Sequence, residues 1–126
     1  MNEFDQFVKH SLRVKYYIRY ADDFVFSKDR RELEDILRLT VVYLRVALKL
    51  GLHPNKVSIT TLASGVDFLG WVHFAHHRIL RTVTKRRMFR SVRGQERDSA
   101  ILQSYLGLLR YGDTFKIRET MEILRF

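Results

Sequence analysis

Residues 18–27 read IRYADDFVFS. Two adjacent carboxylates, Asp22 and Asp23, stand between two apolar runs. Like charges side by side repel, and burying either one without a partner is costly. Two arrangements settle such a pair. One is a β-turn, where Asp bonds nearby backbone and tolerates unusual dihedrals. The other is a divalent cation. Mg²⁺ prefers carboxylate oxygens and keeps waters or substrate phosphates in its remaining positions. Two such ions close together can activate an attacking hydroxyl and stabilise a leaving pyrophosphate. The aromatic flanks place the carboxylates at the tip of a buried hairpin. Arg19 faces away from Tyr20 on an ideal strand, so a cation answers the repulsion better than Arg19 does.

Further residues carry candidate chemistry. Lys56 follows a Pro-Asn turn and reads as a solvated loop lysine or a positioned acid. Phe68 and Leu69 read as core. Gly70 permits close approach of a backbone, and Trp71 offers a stacking face. From Phe68 to Gln95 there is no acid, while Arg78, Arg81, Lys85, Arg86, Arg87, Arg90 and Arg93 fall in that stretch. Such charges repel one another unless an anion is close. The phosphate backbone of a nucleic acid is the natural partner, bound without regard to sequence and with strong salt dependence. His73, His76 and His77 lack a cysteine or a spaced acid to complete a zinc site, so surface or nucleic-acid contacts are expected of them.

These residues need elements to hold them. Phe4, Phe7, Val8 and Leu12 have helical spacing, the end of a helix. VKYYIRY and FVFS are β-branched and aromatic, and a short turn between them makes a hairpin. Asp29 and Glu32 form a D-x-x-E helix start. Leu33, Ile36, Leu37, Thr40, Val41, Leu44 and Leu48 follow at helical period, an amphipathic helix laid on a sheet. Gly51 is expected to stop it, and Pro54 to prevent its resumption. KVSIT (56–60) reads as a strand, and GVDFLGWVHF as a strand pair or a strand bent at Gly70. Residues 83–93, 98–111 and 114–125 read as helices. Ile101, Leu102, Tyr105, Leu106 and Leu109 share one face of the second. By the layer rule the chain is α+β: a sheet with a packed amphipathic helix, then a helical piece, divided near residues 81–84.

Composition bounds the function. The chain has 126 residues, 23 Lys plus Arg against 14 Asp plus Glu, and a net charge of +9. That excess favours an anionic partner, nucleic acid or an anionic surface. There is no cysteine, which excludes disulfides and thiolate metal sites and favours an intracellular, cytoplasmic location. No apolar run approaches the roughly 18 residues of a membrane span, and no signal-peptide pattern opens the chain.

Tyr20-Ala21-Asp22-Asp23 resembles the YxDD hairpin of reverse transcriptases. Three further segments match in order: LGLHPNK (50–56), GVDFLGW (65–71), similar to the primer-grip hairpin, and SYLGLLRYGD (104–113), similar to a thumb helix. The wording is closest to bacterial enzymes, the group II intron, retron and diversity-generating types. The resemblance implies an antiparallel palm sheet over residues 1–82 and proximal thumb helices over 83–126. It implies an RNA-directed DNA polymerase with two Mg²⁺ ions, or Mn²⁺ in their place, acting on an RNA template, a DNA primer and dNTP, with no membrane. Asp22 would bind the metals, Asp23 would assist, and Lys56 would protonate the leaving pyrophosphate. Tyr20, Phe68, Leu69, Gly70 and Trp71 would hold the primer, and Arg78, Arg81, Lys85, Arg86, Arg87 and Arg90 would contact nucleic acid. The family's palm also supplies an earlier aspartate from a strand. The one candidate here, Asp5, lies in an expected helix, so the chain reads as the C-terminal part of a palm with the start of a thumb, inactive alone. Two rivals remain: a nucleic-acid-binding module without catalysis, and a related protein whose carboxylates are structural.

Overall fold

Phe4 and Val8, one helical turn apart, are both fully buried. They lie on α1 (Asn2–Gln6) and on the π-helical turn Phe7–Ser11 that continues it. The computed structural model describes residues 1–96 and 99–123, apart from the Glu122 side chain. Contacts divide the chain into two compact units, Met1–Ile59 and Thr60–Phe126.

In the first unit, β1 (Tyr16–Tyr20) and β2 (Asp23–Ser27) pair antiparallel, with Tyr20 opposite Asp23 and Arg19 opposite Phe24. Burial alternates along β1, as a two-faced strand requires. Tyr17, Phe24 and Phe26 turn inward onto a core of Phe4, Val8, Val14, Ile36 and Leu44. That core is aromatic-rich, with Phe7 stacked on Tyr43 at 3.9 Å and Phe4 against Phe24 at 5.0 Å. The floor is α2 (Arg30–Ala47), whose buried Ile36, Thr40 and Leu44 recur every four residues. Asp29 caps α2: its Oδ1 accepts from the Glu32 N–H at 3.0 Å. That bond lowers the Asp29 carboxyl pKa. The helix stops before Gly51, the expected terminator. Lys49 takes the left-handed conformation (φ +56°), and the Leu50 N–H returns to the Leu44 carbonyl at 2.9 Å.

The second unit holds a three-stranded antiparallel sheet, β3 (Val66–Phe68), β4 (Trp71–His73) and β5 (Arg78–Leu80), in that order. Helices follow: α3 (Thr82–Val92), α4 (Ala100–Leu108) with a 3₁₀ turn Leu109–Tyr111, and α5 (Phe115–Ile123). Trp71, Leu80, Met88, Val92, Leu102, Leu109 and Met121 form the core. The chain is therefore α+β, as its pattern of periods required.

Three local expectations change. KVSIT forms no strand: Val57 is extended (φ −99°, ψ 128°), but among the described residues no strand pairs with it. A ladder needs a partner as well as a propensity. β5 was not foreseen, because Arg78-Ile79-Leu80 lies within a stretch whose charge dominates the reading. Ile101 points outward, 45% exposed, although Leu102 and Leu109 beside it are buried. The expected ends of the helices at residues 98, 124 and 125 lie outside the described residues. No helix among the described residues is long and apolar enough to cross a membrane.

Candidate cation site and nucleic-acid interface

The β1–β2 turn carries Asp22 and Asp23, and both are exposed. The expectation of a buried tip is thus corrected: the strands are packed on one face, but the turn projects beyond the core. Tyr20, opposite Asp23, is 65% exposed on the same outer face, with Ile18 and Tyr16 behind it. Ala21, the first corner of the turn, has φ +50°, an uncommon conformation for a residue with a Cβ. Among the described residues neither carboxylate enters an ion pair.

The nearest arginine in sequence is engaged elsewhere. Arg19 faces inward, away from Tyr20 as read from the strand period. Its Nε donates to Asp5 Oδ1 at 2.8 Å, its Nη2 to Asp5 Oδ2 at 2.6 Å, and its Nη1 to the Ala21 carbonyl at 2.8 Å. Tyr17 Oη also donates to Asp5 Oδ1, at 2.9 Å. The Arg19 guanidinium, helped by Tyr17, holds the Asp5 carboxyl down to about 2. Burial, and then the Asp5 hydrogen bond, push the Tyr17 phenol up. Asp5 lies on α1, the helix expected for it. Sequence reading considered Asp5 only as a possible further metal ligand and missed this role. The available signal was an arginine on the inner face of an aromatic strand, a position that demands a partner.

Mg²⁺ chemistry can be tested against this donor set. Two adjacent, solvent-facing carboxylates offer the oxygen ligands the ion prefers. Among the described residues no group of three or more His, Cys, Asp or Glu side chains is placed to hold a metal ion. A closed protein cage is therefore not what the hairpin offers. It fits an ion that takes one or two carboxylates and completes its shell with water and phosphate, as Mg²⁺ does. Lys56 lies in the same unit, exposed at the end of the 3₁₀ turn Pro54–Lys56.

The second hairpin bears the residues expected to hold a primer. β3 and β4 are joined by Leu69 and Gly70, both at positive φ (+53° and +83°), the tight two-residue turn that favours glycine. Leu69, expected in the core, is 46% exposed at the tip, while Phe68 is half-buried. Trp71 overturns its expectation. It is 5% exposed, the Arg78 guanidinium lies 5.0 Å from its ring centre, and a Cβ at Gly112 would run into the ring. Trp71 is a core residue with no open stacking face.

The acid-free stretch divides in two. Arg81 pairs with Asp67 through Nε at 2.8 Å and through Nη2. Arg78 donates to the Tyr111 carbonyl and covers Trp71. These two arginines are structural anchors, and the reading of Arg81 as lacking a counter-charge is corrected. The counter-charge sits one residue before the stretch, and the β3–β4 sheet carries it back. Lys85, Arg86, Arg87, Arg90 and Arg93 remain exposed, with no ion pair among the described residues. α3 buries Met88 and Val92 on one side, so Arg86 and Arg90 fall at helical spacing on the other, while Arg93 follows the helix in an extended conformation.

The three histidines line an open hollow of about 510 Å³ with Phe74, Arg78 and Tyr111. His77 stacks on Phe74 at 4.7 Å, and His73 Nε2 is 3.3 Å from the Phe68 carbonyl. No protein-family model matches the sequence, and no curated protein matches it at significant similarity.

Proposed function

We propose that the chain is the C-terminal palm and proximal thumb of a bacterial-type reverse transcriptase, an RNA-directed DNA polymerase. The observation that carries this reading is the Tyr20–Asp23 turn: two exposed carboxylates, without an ion pair among the described residues, on a hairpin whose other face is packed in an aromatic core. Bound Mg²⁺ or Mn²⁺ would supply the charge that activates a primer hydroxyl and stabilises the pyrophosphate. Asp22 and Asp23 hold oxygen donors at the tip of a two-stranded antiparallel ribbon. Lys56, exposed in the same unit, is the candidate proton donor to the leaving group. In the second unit, Leu69 and Gly70 present a tight turn to a primer backbone. Lys85, Arg86, Arg87 and Arg90 give α3 a phosphate-binding face. The partners are an RNA template, a DNA primer and dNTP, and the location is cytoplasmic.

The rival reading, a binding module without catalysis, draws on α3 alone. The two diverge at the turn. In an NMR titration of the 126-residue chain with Mn²⁺, the polymerase reading expects paramagnetic broadening centred on Asp22 and Asp23. Binding should be weak, because one turn gives few ligands. The broadening should vanish in Asp22→Asn/Asp23→Asn. Broadening centred elsewhere, or surviving in that variant, refutes the assignment and leaves the binding module standing.

A further inference from the structure

We infer that Arg19 and Asp5 are positioning residues that fix the direction in which the Asp22–Asp23 turn presents its carboxylates. The inference rests on the reading of that turn as a cation site and deepens it. The Ala21 carbonyl and the Asp22 N–H belong to one planar peptide unit. Arg19 Nη1 holds that carbonyl at 2.8 Å and so fixes the plane from which the Asp22 side chain departs. The other edge of the same guanidinium is gripped by both oxygens of Asp5, at 2.8 and 2.6 Å. Asp5 in turn stands on a helix that cannot shift easily. Phe4 beside it is fully buried, and the Glu3 carbonyl accepts from Tyr43 Oη of α2 at 3.1 Å. The path runs from the core through α1, Asp5 and Arg19 to the turn. A guanidinium is needed here: its rigid fork serves both edges at once, and an ammonium cannot.

The arrangement also leaves the carboxylates available. An unpaired arginine two residues before the turn would compete with a metal for Asp22 and Asp23. Paired with Asp5, it contributes little net charge while still holding the backbone. The Ala21 conformation, unusual for a residue with a Cβ, is the kind of local geometry that persists when its surroundings over-determine it.

The discriminating variant is Arg19→Gln in the 126-residue chain, because two mechanisms give it opposite signs. If Arg19 acted only through its charge, removing it would tighten Mn²⁺ binding at the neighbouring carboxylates. Positioning expects the half-saturating Mn²⁺ concentration to rise about tenfold, the lower end for a residue that orients metal ligands. Arg19→Lys, which keeps the charge, should weaken binding almost as much. Unchanged amide shifts at Val8 and Leu44 establish that the core is intact. Binding as tight as in the parent, or tighter, in a folded Arg19→Gln overturns the inference.

Metal-free ¹⁵N relaxation at Ala21, Asp22 and Asp23 separates this inference from the reading beneath it. Greater mobility of the turn in Arg19→Gln sustains the positioning role even where the parent shows no broadening at Asp22, an outcome that sinks the cation reading alone. A turn equally rigid in parent and variant overturns the positioning role, whatever the metal does. Should Arg19→Gln fail to fold, Tyr17→Phe decides by the same two readouts. It keeps the ring and deletes one bond to Asp5, so it should loosen the turn and weaken Mn²⁺ binding by a smaller factor. No change in either overturns the inference.

Discussion

Tyr20–Asp23 and Phe68–Trp71 each enclose a two-residue turn whose first corner is a non-glycine residue at positive φ, Ala21 at +50° and Leu69 at +53°. In both, an arginine holds a turn carbonyl. Arg19 uses its side chain on Ala21 at 2.8 Å, and Arg81 uses its backbone N–H on Gly70 at 2.9 Å. In both, that arginine is ion-paired, to Asp5 and to Asp67. The difference lies at the fourth position. Asp23 is exposed, and Trp71 sits in the core. One hairpin is a platform that displays its closing residues to solvent. The other is anchored by its closing residue and displays only Leu69 at its tip. The same local geometry thus serves display or anchorage, according to whether the residue after the turn lies over the core or beyond it.

The comparison is broken most forcefully at that fourth position. Trp71→Ala should cost about 3–5 kcal/mol of stability, as for other large buried side chains. Asp23→Ala should move stability by no more than about 0.5 kcal/mol, because an exposed turn residue removes no packing. Urea unfolding followed by circular dichroism measures both, because Trp71 is the single tryptophan of the chain and its replacement removes the fluorophore. Tryptophan fluorescence adds a second probe for the parent and for Asp23→Ala. Equal costs at the two sites would show that the hairpins are anchored alike.

The second test sharpens the division between anchoring and free arginines. Replacing Lys85, Arg86, Arg87 and Arg90 together with Gln should flatten the slope of log K against log salt for nucleic-acid binding by about 3, at about 0.7 to 0.9 per phosphate. That corresponds to about 60-fold in salt-induced weakening between about 50 and 200 mM. Arg81→Gln should leave the slope unchanged and lower stability instead, since its charge is paired with Asp67. Asp22→Asn should leave binding unchanged or slightly tighter. Fluorescence anisotropy with a labelled duplex across the salt series reads all three. A slope indifferent to the quadruple substitution marks the α3 face as ordinary solvated surface.

The smallest effects compare the two cores. Thr40, 1% exposed in the core of the first unit, has a hydroxyl with no hydrogen-bond partner among the described residues. Thr114, 4% exposed in the second unit, donates to the Leu109 carbonyl. Replacement by valine keeps the shape and deletes the hydroxyl. Thr40→Val should stabilise by about 1 kcal/mol, and Thr114→Val should destabilise by about 1 kcal/mol. Thermal and urea melts of the two variants give the signs. Two shifts of the same sign would mean that shape, rather than hydrogen bonding, governs both sites.

Much of this molecule is legible from residue order. The alternation through VKYYIRY and FVFS, the four-residue recurrence from Leu33 to Leu48 and the D-x-x-E start at Asp29 each depend on neighbours within a few positions. β1, β2 and α2 accordingly form where the pattern puts them. The resemblance of YADD to a polymerase turn is likewise a property of adjacent residues, and so is the isolation of Arg19 from Tyr20 on opposite strand faces.

What the sequence alone could not decide depends on which distant residues meet. KVSIT has the propensity of a strand, but a strand is completed by a partner, and none of the described residues supplies one. The helix α2 ends at a left-handed Lys49 rather than at the more permissive Gly51, because the Leu50 N–H finds the Leu44 carbonyl. Arg81 looked unpaired in a window of sequence until the sheet brought Asp67 to it. Trp71 looked like a stacking surface until Arg78 and Gly112 covered its ring. Asp5 and Arg19, 14 positions apart, become one clamp only when α1 and β1 share a core. Local periodicity fixes which elements form. Tertiary packing decides which side chains are buried, paired or left free, because burial and pairing are relations between segments that order along the chain does not encode directly.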